Sequence, residues 1–223
     1  MRLVEYPDAE MMMIDLANRL AGELNSFLMR NHRASFAVPG GTTPGPVFDA
    51  LCAADIDWER VHVMLTDERW VPAESPRSNT RLIRQRLMTD RAAAARFIPF
   101  HIEAPEPEDR LEEICEAVEA ELPLSVLLLG MGEDMHTASL FPGADRLEEA
   151  LSDRAPPVMA MRAPGAPEAR VTLTVPVLDG AMSKHLVITG AAKRAALEAA
   201  AQLTPKEAPI RAVWSDLTVH WAE

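Results

Sequence analysis

The chain has 223 residues, 48% of them hydrophobic, 25% charged and 5% aromatic, which excludes a disordered, collagen-like or disulfide-built protein and describes a globular chain with a sizeable core. Its 22 basic and 34 acidic side chains give a net charge of −12, a field that repels nucleic-acid phosphates and anionic lipid, so neither nucleic acid nor membrane is expected as a partner. A small anionic substrate stays compatible, because a few Arg and Lys converging in a cleft set the potential there.

From Asp8 to Leu28 apolar residues recur at three- and four-residue steps, predicting an amphipathic helix that starts after Pro7. Ser35–Val38 is a short apolar strand, closed by Pro39-Gly40-Gly41-Thr42-Thr43-Pro44 and followed by a helix through Leu51. Val61–Leu65 is a buried strand, Thr66–Ser78 a long loop, and Asn79–Met88 a helix capped by Ser78-Asn79-Thr80. Helical period returns over Glu106–Leu122, and Ser125–Leu129 is the most strand-like run of the chain. Gly130–Met135 is then a glycine-bearing loop, and a further helix is expected from His136. Past Phe141-Pro142-Gly143 come three short β-like runs, Pro157–Ala163, Arg170–Val175 and His185–Ile188. Thr189-Gly190 opens an alanine-rich helix over Ala191–Leu203, and Leu217–Trp221 is a final strand. Strands alternating with helices predict an α/β fold with a mostly parallel sheet, helices on both faces, and ligands off the carboxyl ends of the strands. One domain over residues 1–223 is expected at this length.

Cys52 and Cys115 make neither a disulfide framework nor a CxxC knuckle, and read as buried thiols of a reducing compartment. No apolar run reaches the roughly 18 residues of a membrane span, and Glu5, Asp8 and Glu10 stand where a signal peptide needs apolar residues. A cytoplasmic protein is expected.

Four segments could carry chemistry. Gly40-Gly41-Thr42-Thr43 lies between strand and helix, so its backbone can approach an anion closely while two hydroxyls face it; a plain turn has the same spacing. A Walker loop is excluded, since no Lys follows the last Gly. Asp67, Glu68 and Arg69 follow a buried strand, which puts two carboxylates and a guanidinium at the ligand edge. Gly130-Met131-Gly132-Glu133-Asp134-Met135-His136 has Met where a dinucleotide fingerprint needs its third Gly. What remains is a His two residues after an Asp, in a loop off a central strand, a placement suited to a general base as well as to a structural imidazole. Lys193 and Arg194 put two cations at a strand-to-helix junction. No HExxH or G-x-S-x-G is present, so a zinc hydrolase or serine hydrolase is not indicated, and no metal is expected.

The order of these segments resembles the 6-phosphogluconolactonase family from about Phe36 to Trp221. Pro39–Pro44 is similar to its GGSTP-type loop with Thr for Ser, and Asp67-Glu68-Arg69 with Val71-Pro72 and Ser78-Asn79 is similar to its DER-x-VP…SN segment. The run from Gly130 through Asp134, His136, Thr137-Ala138-Ser139-Leu140-Phe141-Pro142 is similar to its GxGxDGHTASLFP signature, with Met135 where the family usually has Gly. The resemblance implies a modified Rossmann-like sheet related to glucosamine-6-phosphate deaminases and ribose-5-phosphate isomerases. It implies hydrolysis of 6-phospho-D-glucono-1,5-lactone in the oxidative pentose phosphate pathway, without a cofactor. Carried over by position, His136 activates water, Asp134 is its neighbour and Arg69 is an active-site cation. Gly40, Gly41, Thr42, Thr43, Asp67, Glu68, and Lys193 or Arg194 contact the phosphate or the sugar. A glucosamine-6-phosphate deaminase and a non-catalytic sugar-phosphate-binding module are the rival readings; the HTASLFP run favours the lactonase.

Overall fold

In the computed structural model, which describes residues 1–223, a short strand β1 (Arg2–Glu5) precedes the long helix that the periodicity demands, α1 (Ala9–Leu28). Asp8 starts that helix, its carboxylate accepting the Met11 amide at 2.8 Å. The chain continues through β2 (Ala34–Val38), α2 (Gly45–Leu51), β3 (Val61–Leu65), β4 (Asp67–Arg69), α3 (Asn79–Arg86) and β5 (Arg96–Ile98). Next come α4 (Leu111–Glu119), β6 (Val126–Leu129), the short α5 (Leu147–Ala150), β7 (Val158–Met161), β8 (Arg170–Leu173) and the short α6 (Val175–Asp179). It ends with β9 (Lys184–Thr189), α7 (Ala191–Ala200) and β10 (Leu217–Ala222). No helix is long and apolar enough to cross a membrane.

Seven strands form one parallel sheet in the order β1-β10-β9-β6-β2-β3-β5. Its middle strands β2 and β6 are buried along their whole length and β9 along all but its last residue, as parallel strands covered on both faces must be. One contiguous cluster of 60 buried apolar residues surrounds them. From β2 the chain runs outward to β3 and β5, whereas from β6 it runs the other way to β9 and β10. The order therefore reverses between β2 and β6, and a crevice opens there, past their carboxyl ends.

The structure departs from the sequence pattern in four places. β1 and β5 have no continuous apolar run because they are the two edges of the sheet, with one face or end in solvent. The runs around Val158–Met161 and Arg170–Leu173 do not join the parallel sheet; they pair antiparallel with β4 in a separate three-stranded sheet of order β4-β8-β7. Part of the expected loop after β3 is thus a strand. The helix expected from His136 does not form, because Met135 and Ala138 take φ of 66° and 49° and the chain turns back through a Thr137–Leu140 bridge. Both cysteines are free thiols, but Cys115 is only half-buried.

A polar chain is enclosed between α1 and the strands β9 and β10. Tyr6 Oη donates to Asp15 at 2.6 Å and meets His220 Nδ1 at 2.9 Å; His220 Nε2 meets His185 Nδ1 at 3.0 Å, and His185 Nε2 meets Glu23 at 2.9 Å. Burial, reinforced by the His185 charge, pushes His220 down from 6.5 to about 3. Burial pushes Glu23 up, but its bonds to His185 and Ser183 outweigh this and hold it below its usual range. Burial and the Asp15 bond push Tyr6 up to about 12. An unfolded chain takes up the His220 proton from pH 6.5 downward, while the folded chain refuses it until about pH 3. Between those values the unfolded state binds more protons, so stability falls as the pH falls, and Glu23 acts in the same direction. The melting temperature is therefore expected to drop from pH 7 to pH 4, and His220→Gln to flatten that slope; a slope unchanged in the variant would place the acid sensitivity elsewhere.

Candidate active site

The loops that end β2, β3, β6 and β9 enclose a cavity of about 260 Å³ over the reversal in strand order. From β2 come Gly40, Gly41, Thr42 and Thr43, and from β6 come Gly130, Gly132 and His136. Asp67 and Arg69 reach it from β4, Arg170 from β8 and Lys193 from the first turn of α7. Two glycines here are dictated by close approach. A Cβ on Gly132 would sit 2.3 Å from His136 Nδ1 and 2.4 Å from Asp134 Oδ1, and one on Gly40 would sit 2.0 Å from Asn79 Oδ1.

His136 is held on three sides. Its Nδ1 lies 2.5 Å from Asp134 Oδ1, its ring stacks on Phe141 at 4.0 Å and 24°, and its backbone carbonyl accepts the Gly132 amide at 3.1 Å. A carboxylate can only accept, so Nδ1 is the nitrogen that carries hydrogen toward Asp134, and in the neutral ring Nε2 holds the lone pair. Met135 takes a left-handed turn, φ 66°, that a Gly would adopt freely, and its carbonyl accepts the Ile210 amide at 3.1 Å.

β4 sorts the three charges of Asp67-Glu68-Arg69 by the two-residue period of a strand. Asp67 and Arg69 share the cavity side with their register partners Thr172 and Arg170. Asp67 Oδ2 accepts the Ser139 hydroxyl at 2.6 Å and is 3.7 Å from Arg170 Nη1. Glu68 points the other way, and its assignment to the substrate is corrected. It is fully buried, and its two oxygens accept the Asn79 amide at 2.8 Å, the Thr80 amide at 2.7 Å, the Ser78 hydroxyl at 3.0 Å and the Arg69 amide at 2.8 Å. A carboxylate at the first turn of α3 satisfies donors that the helix itself leaves orphaned.

Helical geometry separates the two neighbouring cations of α7. Lys193 lines the cavity; Arg194 does not, being paired with Glu198 and Glu5 at 2.6 Å each and laid over Trp221. Of the two, Lys193 is the one on the cavity wall. Arg170 carries no spacing signal and was not among the expected residues; it stands at the head of an ordinary β run. Its side chain is 11% exposed and its Nε is buried without a partner, as is that of Arg69. Burial holds the Arg170 guanidinium below its usual range; Asp67 works against this, and Arg69 adds to it. Asp67 is the one carboxylate on a wall that holds Arg69, Arg170 and Lys193, so an acidic protein presents a basic cavity.

Residues 7–221 match the family model for glucosamine-6-phosphate isomerases/6-phosphogluconolactonase. A 6-phosphogluconolactonase of Rhizobium meliloti is 42% identical, the match covering 100% of this chain and 98% of the relative. One of Pseudomonas aeruginosa is 40% identical over 92% of this chain and 88% of its own. The crystal structure of a 6-phosphogluconolactonase from Shewanella baltica superposes with a TM-score of 0.95 at 31% identity, over 100% of this chain and 97% of that one. A monomeric glucosamine-6-phosphate deaminase shares the fold, with a TM-score of 0.77 at 17% identity over 100% of this chain and 98% of that one.

Glu68→Ala leaves the Ser78, Asn79 and Thr80 donors without an acceptor inside the protein and is expected to lower the unfolding free energy by about 3 kcal/mol. Urea denaturation measures this, and a midpoint equal to that of the parent chain would show that α3 finds its cap elsewhere.

Proposed function

Since the chain belongs to the glucosamine-6-phosphate isomerase/6-phosphogluconolactonase family, we propose that it hydrolyses 6-phospho-D-glucono-1,5-lactone to 6-phosphogluconate, with His136 as the general base. The reaction serves the oxidative pentose phosphate pathway, in the cytoplasm, and one α/β domain carries it. The observation that supports the base is the 2.5 Å contact of His136 Nδ1 with Asp134, which leaves Nε2 as the proton acceptor on a residue of the cavity wall. A water between Nε2 and the lactone carbonyl loses its proton to His136 as its oxygen attacks C1. The ring ester then opens, and the ring oxygen takes the proton back from the imidazolium. Asp134 fixes the tautomer and the ring orientation, and Phe141 limits the tilt of the ring.

The remote phosphate holds the sugar against the base. Lys193, Arg69, the Gly40-Gly41 backbone and the Thr42 and Thr43 hydroxyls supply its cradle; Lys193 is suited to this by having no carboxylate partner in the protein. Asp67 acts on the sugar side only through what it positions, being committed to Ser139 and Arg170.

The test generates the lactone in place with glucose-6-phosphate dehydrogenase and follows its loss above the spontaneous rate. His136→Asn is expected to lower kcat by about 10²–10⁴-fold with circular dichroism unchanged, and Asp134→Asn to lower it less, with KM preserved. A folded His136→Asn variant with the parent kcat would remove the imidazole from the mechanism. Unphosphorylated gluconolactone is expected to be a far poorer substrate, and equal kcat/KM for the two lactones would remove the phosphate cradle.

A further inference from the structure

Arg170 is tied twice to the loop that carries His136. Its guanidinium lies 5.1 Å from the centre of the Phe141 ring, and Phe141 is the ring on which His136 stacks at 4.0 Å. Its Nη1 is also 3.7 Å from Asp67 Oδ2, the oxygen that takes the Ser139 hydroxyl at 2.6 Å. His136, Ser139 and Phe141 belong to one six-residue run, so imidazole and guanidinium share a single mount. The other cations of the wall lack this tie. Arg69 donates instead to the Arg77 carbonyl at 2.6 Å, and Lys193 is bound to neither ring nor carboxylate. Arg170 also keeps a buried Nε–H that no protein atom accepts.

We infer that Arg170 is a further catalytic residue at the lactone end of the site, facing the carbonyl oxygen of C1, while the phosphate rests on Lys193 and the Gly40–Thr43 loop. The inference rests on the hydrolytic reading above. As the water oxygen bonds to C1 and its proton passes to His136 Nε2, the carbonyl π pair moves onto the carbonyl oxygen, and Arg170 stabilises that charge. The pair then re-forms the carbonyl, the bond from C1 to the ring oxygen breaks, and the ring oxygen leaves with the proton from His136. The acid so formed ionises, and Arg170 is left opposite the product carboxylate. A cation held in a partly dry wall acts on such a developing charge more strongly than one in water.

The experiment compares the parent chain with Arg170→Gln and Arg170→Lys on the phosphorylated and the unphosphorylated lactone, with inorganic phosphate as a competitive inhibitor. Arg170→Gln is expected to lower kcat/KM on both lactones by a similar factor, about 10²–10³, with Lys restoring part of it. The inhibition constant of inorganic phosphate should stay within about twofold of the parent value, which also reports that the cavity is intact. Lys193→Met is expected to weaken phosphate inhibition instead. If Arg170→Gln weakens phosphate inhibition and spares turnover of the unphosphorylated lactone, Arg170 belongs to the phosphate and the assignment is overturned. Should Arg170→Gln misfold, the charge-preserving Arg170→Lys decides on the same two readouts. A parent chain that hydrolyses neither lactone overturns the hydrolytic reading itself, a result distinct from a failure of Arg170 alone.

Discussion

The buried carboxylate of Glu68 is the constraint on which the site is built. Four donors surround it from two elements, the Arg69 amide on its own strand and Ser78, Asn79 and Thr80 at the start of α3. By fastening β4 to α3 it fixes the strand that presents Asp67 and Arg69, and it places Asn79, whose side chain binds the Asp67 carbonyl at 2.8 Å and occupies the space that Gly40 leaves open. Three walls of the cavity thus depend on a residue that never touches it. A neutral side chain there would keep the shape but lose the charge-assisted bonds, which are about twice as strong as neutral ones.

A second constraint is electrostatic. A chain of net charge −12 builds a basic cavity by spending its acids elsewhere. Asp49 neutralises Arg86, Glu168 neutralises Arg77, and Glu5 and Glu198 take Arg194. Arg69 and Arg170, register partners on β4 and β8, and Lys193 are left lining the cavity with Asp67 as the only acid among them. The overall field discourages polyanions, while the local one attracts a small anion.

The parallel sheet and its ligand edge were legible because their signals are local. The strands β2, β3 and β6 are short, mostly apolar runs, α1 has a clean helical period, and glycine loops stand where β2 and β6 end. His136 drew notice because it lies in such a loop, and Lys193 because it opens a helix just after a strand; both line the cavity. Glu68 was misplaced for want of one fact: residues 67–69 form a strand, and a strand sends its middle residue away from the other two. The antiparallel pairing that makes it a strand comes from residues about a hundred positions later, and so does Arg170, whose place beside Asp67 exists only through that register. Arg194 was separated from Lys193 by the Trp221 ring and Glu5, contacts made by the two ends of the chain. Local pattern gives the elements, and pairing across long separations decides which face of each is functional.

The base and the two guanidinium groups of the wall stand on different sheets. His136 hangs from β6 of the parallel sheet, and Arg69 and Arg170 from the antiparallel one. The two sheets are joined where β3 passes into β4: Thr66 receives the Leu173 amide at 2.9 Å and gives its own to Val38, while Asp67 holds Ser139. That seam acts as a gauge, since it sets the gap between proton acceptor and guanidinium groups much as the jaw of a caliper is set by its slide. On the reading proposed above, the reacting carbonyl sits between imidazole and guanidinium, so the fit at that point is a property of how the two sheets are joined and not of any one side chain.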